Sequence, residues 1–179
     1  MHNKLNSIEL NSIELNSIVL IGMPGAGKST VGILLAKELG MGFVDTDVAI
    51  QVREGLTLQE ILDSSDYLKL RAIEEQVLLS EKIDGKVVAT GGSAVYSEIG
   101  MARLKDCATV VFLDVPLQEL ENRISNFDSR GIARKPNQSF ESLFEERREL
   151  YNRYADISVN CHQQSLQQTL EKTLESLSQ

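Results

Sequence analysis

Short apolar runs alternate along this chain with longer stretches in which apolar positions recur every three or four residues. Ser17 to Ile21 is apolar almost throughout, the pattern of a strand buried on both faces. Lys28 to Leu39 puts Val31, Leu34, Leu35 and Leu39 on one helical face, and Gly40 supplies the stop. Gly42 to Thr46 reads as a second strand. Two short helical segments follow, around Val48 to Arg53 and Thr57 to Leu62, and then a longer helix from Asp66 to Lys82. Lys86 to Thr90 is a third strand, closed by Gly91-Gly92. A short helix near Ser97 to Leu104 leads to a fourth strand, Ala108 to Leu113. Asp114 then has the character of a helix N-cap, with Pro116 in the first turn. Phe140 to Tyr154 is helical, Ile157 to Asn160 is a last strand, and Leu166, Leu170, Leu174 and Leu177 mark a terminal amphipathic helix. Strands alternating with helices predict an α/β fold of three layers, α/β/α, around a parallel sheet.

Two segments break the pattern. Leu5-Asn6-Ser7-Ile8-Glu9 recurs from Leu10 to Glu14 and again, incompletely, from Leu15 to Ile18. Five is the period of neither strand, helix nor solenoid unit, so residues 1–16 read as a duplicated extension ahead of a single domain over 17–179. Phe127 to Ser139 holds Gly131 and Pro136 with little apolar periodicity, and reads as a mobile loop.

The 179 residues include 18 basic and 26 acidic groups, a net charge of −8. Without a basic field, duplex nucleic acid is an unsuitable main partner. Two cysteines, Cys107 and Cys161, and two histidines build no metal cluster, and the cysteines read as free thiols. No apolar run spans a membrane and no signal peptide is recognisable, so a cytoplasmic location is expected, with a monomer as the working unit.

Gly22-Met23-Pro24-Gly25-Ala26-Gly27-Lys28-Ser29-Thr30 matches G-x-x-x-x-G-K-[ST] between a strand and a helix. Glycines at Gly25 and Gly27, with Ala26 between them, let successive N–H groups turn toward phosphate oxygens at a helix N-terminus. Lys28 reaches the β- and γ-phosphates, the Ser29 hydroxyl suits Mg²⁺, and Thr30 follows in the same turn. Asp45 and Asp47 close the second strand, where ligands of parallel sheets sit. One carboxylate suits Mg²⁺ or its water, the other a substrate hydroxyl; capping of the next helix is the plainer role for either. Val110 to Asp114 imitates a second metal-binding run, but capping accounts for Asp114, and the metal role is assigned to Asp45.

Arg71 and Glu74 share a helical face at i, i+3, the spacing of a surface pair. Gly91-Gly92 lets a ligand approach the backbone. Arg123, Arg130, Arg134 and Arg147 flank the loop, where arginines can neutralise charge on a transferred phosphoryl group. Arg148 and Arg153 read as a solvated basic face.

The series GMPGAGKST, FVDTDVAI, LRAIEEQVL, ATGG, a short arginine-bearing lid and ERRELYNRYAD, in this order, resembles the shikimate kinase family from about Ser17 to the last helix. The resemblance implies a five-stranded parallel sheet of order 2-3-1-4-5, a P-loop kinase with a mobile lid at about 127–139. It implies transfer of the γ-phosphoryl of ATP, with Mg²⁺, to the 3-hydroxyl of shikimate. By position, Lys28, Ser29 and Asp45 match phosphate and metal residues, and Asp47 matches the residue that binds the acceptor hydroxyls. Arg71 and Arg147 match the pair that grips the acceptor carboxylate, and Gly92, beside Gly91, matches a glycine whose N–H meets the acceptor. Arg123 and Arg130 match the nucleotide-side and lid arginines. The chain departs from the family pattern at Ser93, where a third glycine is usual, and in the lid. There Arg130 fits the spacing from Arg123, and Arg134 is the alternative. Gluconate, another polyhydroxylated acid, is the rival acceptor, and a nucleotide-binding module without turnover is the rival of another class.

Overall fold

Strand β1 (Ser17–Ile21) lies at the centre of the molecule, all five of its residues buried. The computed structural model describes residues 17–124 and 131–179. β1 pairs in parallel with β3 (Lys86–Ala89) on one side and β4 (Ala108–Asp114) on the other, Val19 standing level with Val88 and Val110. β2 (Gly42–Asp45) extends the sheet beyond β3, and β5 (Ile157–Asn160) extends it beyond β4, giving the order β2-β3-β1-β4-β5. Val19, Leu20, Ile21, Val87, Val110 and Val111 are almost wholly inaccessible. Near-continuous apolar runs of this kind are what a sheet covered on both faces requires.

The helices are α1 (Lys28–Leu39), α2 (Thr46–Glu54), α3 (Leu58–Ser64), α4 (Tyr67–Ser80), α5 (Glu98–Cys107), α6 (Leu117–Arg123), α7 (Phe140–Tyr154) and α8 (Leu166–Leu177). A single 3₁₀ turn, Ala94–Tyr96, follows β3 and has no counterpart in the sequence reading. β1, α1, α7, β5 and α8 fall where periodicity predicts them. β2 and β3 each end one residue sooner than expected, and for β2 the reason is local. Asp45 caps α2, accepting from the N–H groups of Asp47 and Val48, so the helix begins at Thr46.

Asp114 does not cap α6. Pro116 occupies that N-cap, Asp114 is the last residue of β4, and its carboxylate takes Arg148, Nη2 to Oδ2 at 2.8 Å. Arg148 thus belongs to an ion pair rather than to a bare basic face. The loop expected over 127–139 falls in two parts. Residues 127–130 lie outside the described residues, and the following arm is anchored. Ile132 and Ala133 are buried, and the Gly131 N–H donates to Gln59 Oε1 at 2.9 Å.

Two apolar clusters result. The main core surrounds the sheet. A smaller one, of Ile50, Ile61, Leu70, Ile73, Val77 and Ala133, joins α2, α3, α4 and the anchored arm into a cap beyond the carboxyl end of β2. The cleft lies between the cap and the strand ends.

Candidate active site

The cleft encloses about 370 Å³. Its floor is the loop between β1 and α1. Gly25 and Gly27 have φ of 82° and 94°, a region that side chains with a Cβ rarely enter, and Gly27 is the N-cap of α1. Gly25, Gly27, Lys28, Ser29 and Thr30 line the cleft, whereas Ala26 is buried beneath it. Lys28 Nζ donates to the carbonyls of Gly22 at 2.7 Å and Met23 at 2.9 Å. Burial lowers its pKa to about 8, against the opposing pull of the Asp47 carboxylate.

The opposite wall is built around Gly91-Gly92 at the end of β3. The Gly91 N–H donates to Thr46 Oγ1 at 2.8 Å. A Cβ on Gly91 would lie 2.6 Å from Asp47 Oδ1 and would collide with Glu74 Oε1. A Cβ on Gly92 would lie 2.7 Å from Arg147 Nη1 and 2.8 Å from Pro24 Cδ. The two glycines thus let three groups crowd one strand end: the phosphate loop, the Asp47–Glu74 carboxyls and Arg147.

Arg147 is 1% exposed, the largest fully buried side chain described. Its Nη2 donates to the Ala133 carbonyl at 2.6 Å, while Nε has no partner among the described residues. Arg71 does not line this cleft. Its guanidinium lies 3.4 Å from the Tyr96 ring centroid, facing the adjoining hollow between α4 and the 3₁₀ turn, and its Nε and Nη2 are buried without partners. Arg123, at the end of α6, lines the nucleotide-loop side, with Nη1 3.5 Å from the Gly25 carbonyl and Nη2 paired to Glu119 at 3.2 Å. Arg130 lies outside the described residues. Arg134 donates to the Gln138 carbonyl at 2.7 Å and does not line the cleft. Asp45 caps α2 through Oδ1 and also does not line it, although its charge is felt by Lys28.

Sequence reasoning missed three residues. Glu74 is not half of a surface pair: it is 3% exposed, accepts from the Ser93 hydroxyl, and leaves Oε1 unpartnered. Burial, then the nearby Asp47 carboxylate, pushes its pKa up to about 7, partly offset by the Ser93 bond. The signal was present, since Glu74 falls within the apolar stripe of Leu70, Ile73 and Val77. A carboxyl on the core face of a helix needs an explanation. Ser93 registers in the sequence only as a missing glycine, and Tyr96 gives no signal there.

The metal expectation is tested by the donor set. Among the described residues no cluster of three or more His, Cys, Asp or Glu side chains could hold a metal ion. The Ser29 hydroxyl is exposed to the cleft, and Asp45 Oδ2 is not used by the cap. A few oxygens beside a phosphate loop fit Mg²⁺ that arrives with nucleotide phosphates, and do not fit a resident metal.

The family model "Shikimate kinase" matches residues 24–178. A shikimate kinase of Sulfurihydrogenibium is 35% identical over 156 residues, covering 87% of this chain and 93% of that relative. The structure of shikimate kinase from Acinetobacter baumannii in complex with shikimate superposes with a TM-score of 0.83 at 30% identity, covering 92% of this chain and 93% of that one. A gluconokinase from Sinorhizobium meliloti reaches a TM-score of 0.51 at 21% identity over 93% of this chain and 94% of its own, a likeness of fold alone.

Proposed function

Because the chain belongs to the shikimate kinase family, we propose a division of labour in its cleft for the reaction of that family, phosphorylation of the 3-hydroxyl of shikimate to shikimate 3-phosphate. ATP is the phosphoryl donor. Its phosphates lie over Gly25 to Thr30, held by backbone N–H groups and by Lys28, which leaves the Gly22 and Met23 carbonyls to do so. Ser29, and Asp45 directly or through a water, would hold Mg²⁺ that arrives with the phosphates, where it would supply charge neutralisation. Arg123 flanks the nucleotide. Arg130 is assigned the lid role on sequence spacing.

On the acceptor side, Asp47 accepts the hydrogen bond of the attacking hydroxyl and takes its proton as the new O–P bond forms, while the bond between the γ-phosphorus and the oxygen bridging to the β-phosphate breaks and ADP leaves with that electron pair. Arg147 and Arg71 grip the carboxylate of the acid, and the Gly91-Gly92 backbone, which has room for no side chain, lies against its ring. A monomer is taken as the working unit, and the demand for ATP supports a cytoplasmic setting. Residues 17–179 act as one catalytic domain, with 1–16 an extension ahead of it.

The observation that carries this reading is the junction at Gly92. The position that a Cβ would take on that residue lies within 3 Å of both the phosphate loop, at Pro24, and a buried arginine with an unused donor. ADP release from Mg-ATP, measured with shikimate, with gluconate and with no acid, tests it. Turnover is expected with shikimate alone. Turnover with gluconate but not shikimate overturns the acceptor assignment, and hydrolysis independent of any acid overturns the division of labour.

A further inference from the structure

Two guanidinium groups that serve one anion must stand close together when the anion is absent, and like charges in a partly dry site repel. Arg71 and Arg147 do feel one another, yet no described carboxylate bridges them. What lies beside both is an aromatic ring. The Tyr96 centroid is 3.4 Å from the Arg71 guanidinium carbon and 5.5 Å from that of Arg147. The negative face of an aromatic ring attracts a cation without consuming its hydrogen bonds. Stacking uses the flat face of a guanidinium and leaves its in-plane N–H groups free. The unused atoms agree with this: Arg71 Nε and Nη2 and Arg147 Nε are all buried, with no hydrogen-bond partner among the described residues.

The ring is itself fixed. Tyr96 closes the 3₁₀ turn behind Gly91-Gly92, and the preceding Ala94 and Val95 are each 1% exposed. Its hydroxyl donates to Glu146 Oε1. The other oxygen of Glu146 accepts from Lys135 Nζ at 2.9 Å and Gln138 Nε2 at 3.0 Å, on the anchored arm.

We propose that Tyr96 is the positioning residue of the carboxylate grip: its ring holds both the Arg71 and the Arg147 guanidinium groups against it, with Arg71 Nε and Nη2 and Arg147 Nε left unused, so that the pair is set before the acid arrives. This rests on the assignment of those arginines to the acceptor carboxylate. Tyr96 touches no reacting atom, so its removal loosens binding of the charged acid and spares the chemical step once the site is full.

The test compares wild type, Tyr96→Phe and Tyr96→Leu with shikimate and with its uncharged methyl ester. Circular dichroism verifies the fold, and Tyr96→Met serves as a second ring-free variant if Tyr96→Leu does not fold. Loss of the ring is expected to raise KM for shikimate about ten-fold, between the sizes of an exposed and a desolvated cation–π contact. KM for the ester and for ATP, and kcat at saturating acid, are expected to stay within about two-fold of wild type. Tyr96→Phe, which keeps the ring and loses the Glu146 bond, is expected to retain most of the affinity. Unchanged KM for shikimate in the ring-free variants overturns the role, and so does an equal loss on acid and ester. If wild type itself fails to distinguish acid from ester, the carboxylate grip is wrong and the role of Tyr96 falls with it.

Discussion

At the phosphate end of the cleft, the principal cation already has partners: Lys28 Nζ is bonded to two carbonyls of its own loop. At the acid end, three guanidinium nitrogens and one carboxyl oxygen are buried with none among the described residues. A buried donor without a partner costs about 1–3 kcal/mol, more when charged. The phosphate end is thus at rest when empty, and must exchange internal bonds for nucleotide. On the reading proposed above, the acid end stands with unused donors when empty, and the arriving anion would fill them. One site is built by local sequence, the other by side chains from α4, α7 and the turn after β3.

The sharpest way to break this contrast is at Lys28. Lys28→Ala is expected to lower kcat by on the order of 10²–10³ or more, while circular dichroism and acid binding stay near wild type. Near-normal turnover would remove the phosphate end from the chemistry. Next come Arg147→Ala and Arg71→Ala, each expected to weaken acid binding by roughly 2–5 kcal/mol and to leave ATP affinity in the absence of acid unchanged. Calorimetric titration of both ligands separates the two ends. An equal loss for ATP and acid in either variant would show that they are not independent.

Gly91→Ala probes the crowding directly. The new methyl meets Asp47 and Glu74, so about 1–3 kcal/mol of overpacking is expected in denaturant unfolding, together with weakened acid binding. A stable variant with normal acid affinity would show that the strand end has room to spare.

The smallest effect is a slope with pH. The Glu74 carboxyl has its pKa raised from 4.5 to about 7, so the folded protein holds a proton that the unfolded chain gives up. That contribution to stability is complete below about pH 4.5 and is lost as pH rises through about 7, at no more than about 1.4 kcal/mol per pH unit. Lys28 gives the opposite slope. With its pKa lowered from 10.5 to about 8, its burial disfavours folding below about pH 8, and stability recovers between there and 10.5. Unfolding free energy measured from pH 4.5 to 7 is expected to flatten in Glu74→Gln and to keep its slope in Lys28→Met. An unaltered slope in Glu74→Gln would assign the titration to another group.

The same contrast explains what could be read from sequence. The phosphate end is contiguous, Gly22 to Thr30 between a buried strand and a helix, so motif, strand and helix announce one another. The sheet followed from alternation. The acid end draws on Asp47, Arg71, Glu74, Ser93, Tyr96 and Arg147, spread over a hundred residues. Family likeness pointed to Asp47 and the two arginines. It did not reveal that α4 turns Glu74 inward and Arg71 onto a ring, because that depends on where the turn after β3 packs. Asp114 was misread for a related reason. A carboxylate ahead of a proline resembles a cap until a distant arginine, Arg148 on α7, claims it.

The burial of β1 on both faces also settles which copy of the leader can serve as the sheet's spine. The third copy supplies Ser17-Ile18-Val19-Leu20-Ile21, and Val19 has no accessible surface. Threaded five residues out of frame, the chain would offer Ser12-Ile13-Glu14-Leu15-Asn16 to the same slot, and ten residues out, Ser7-Ile8-Glu9-Leu10-Asn11. Each mis-threading sets a glutamate where Val19 belongs and an asparagine where Ile21 belongs, among neighbours that offer a charge nothing. A sequence that repeats itself three times at its threshold therefore carries its own proofreading. Two residues per copy distinguish the true frame from its echoes and keep the phosphate loop in phase with the strand that presents it.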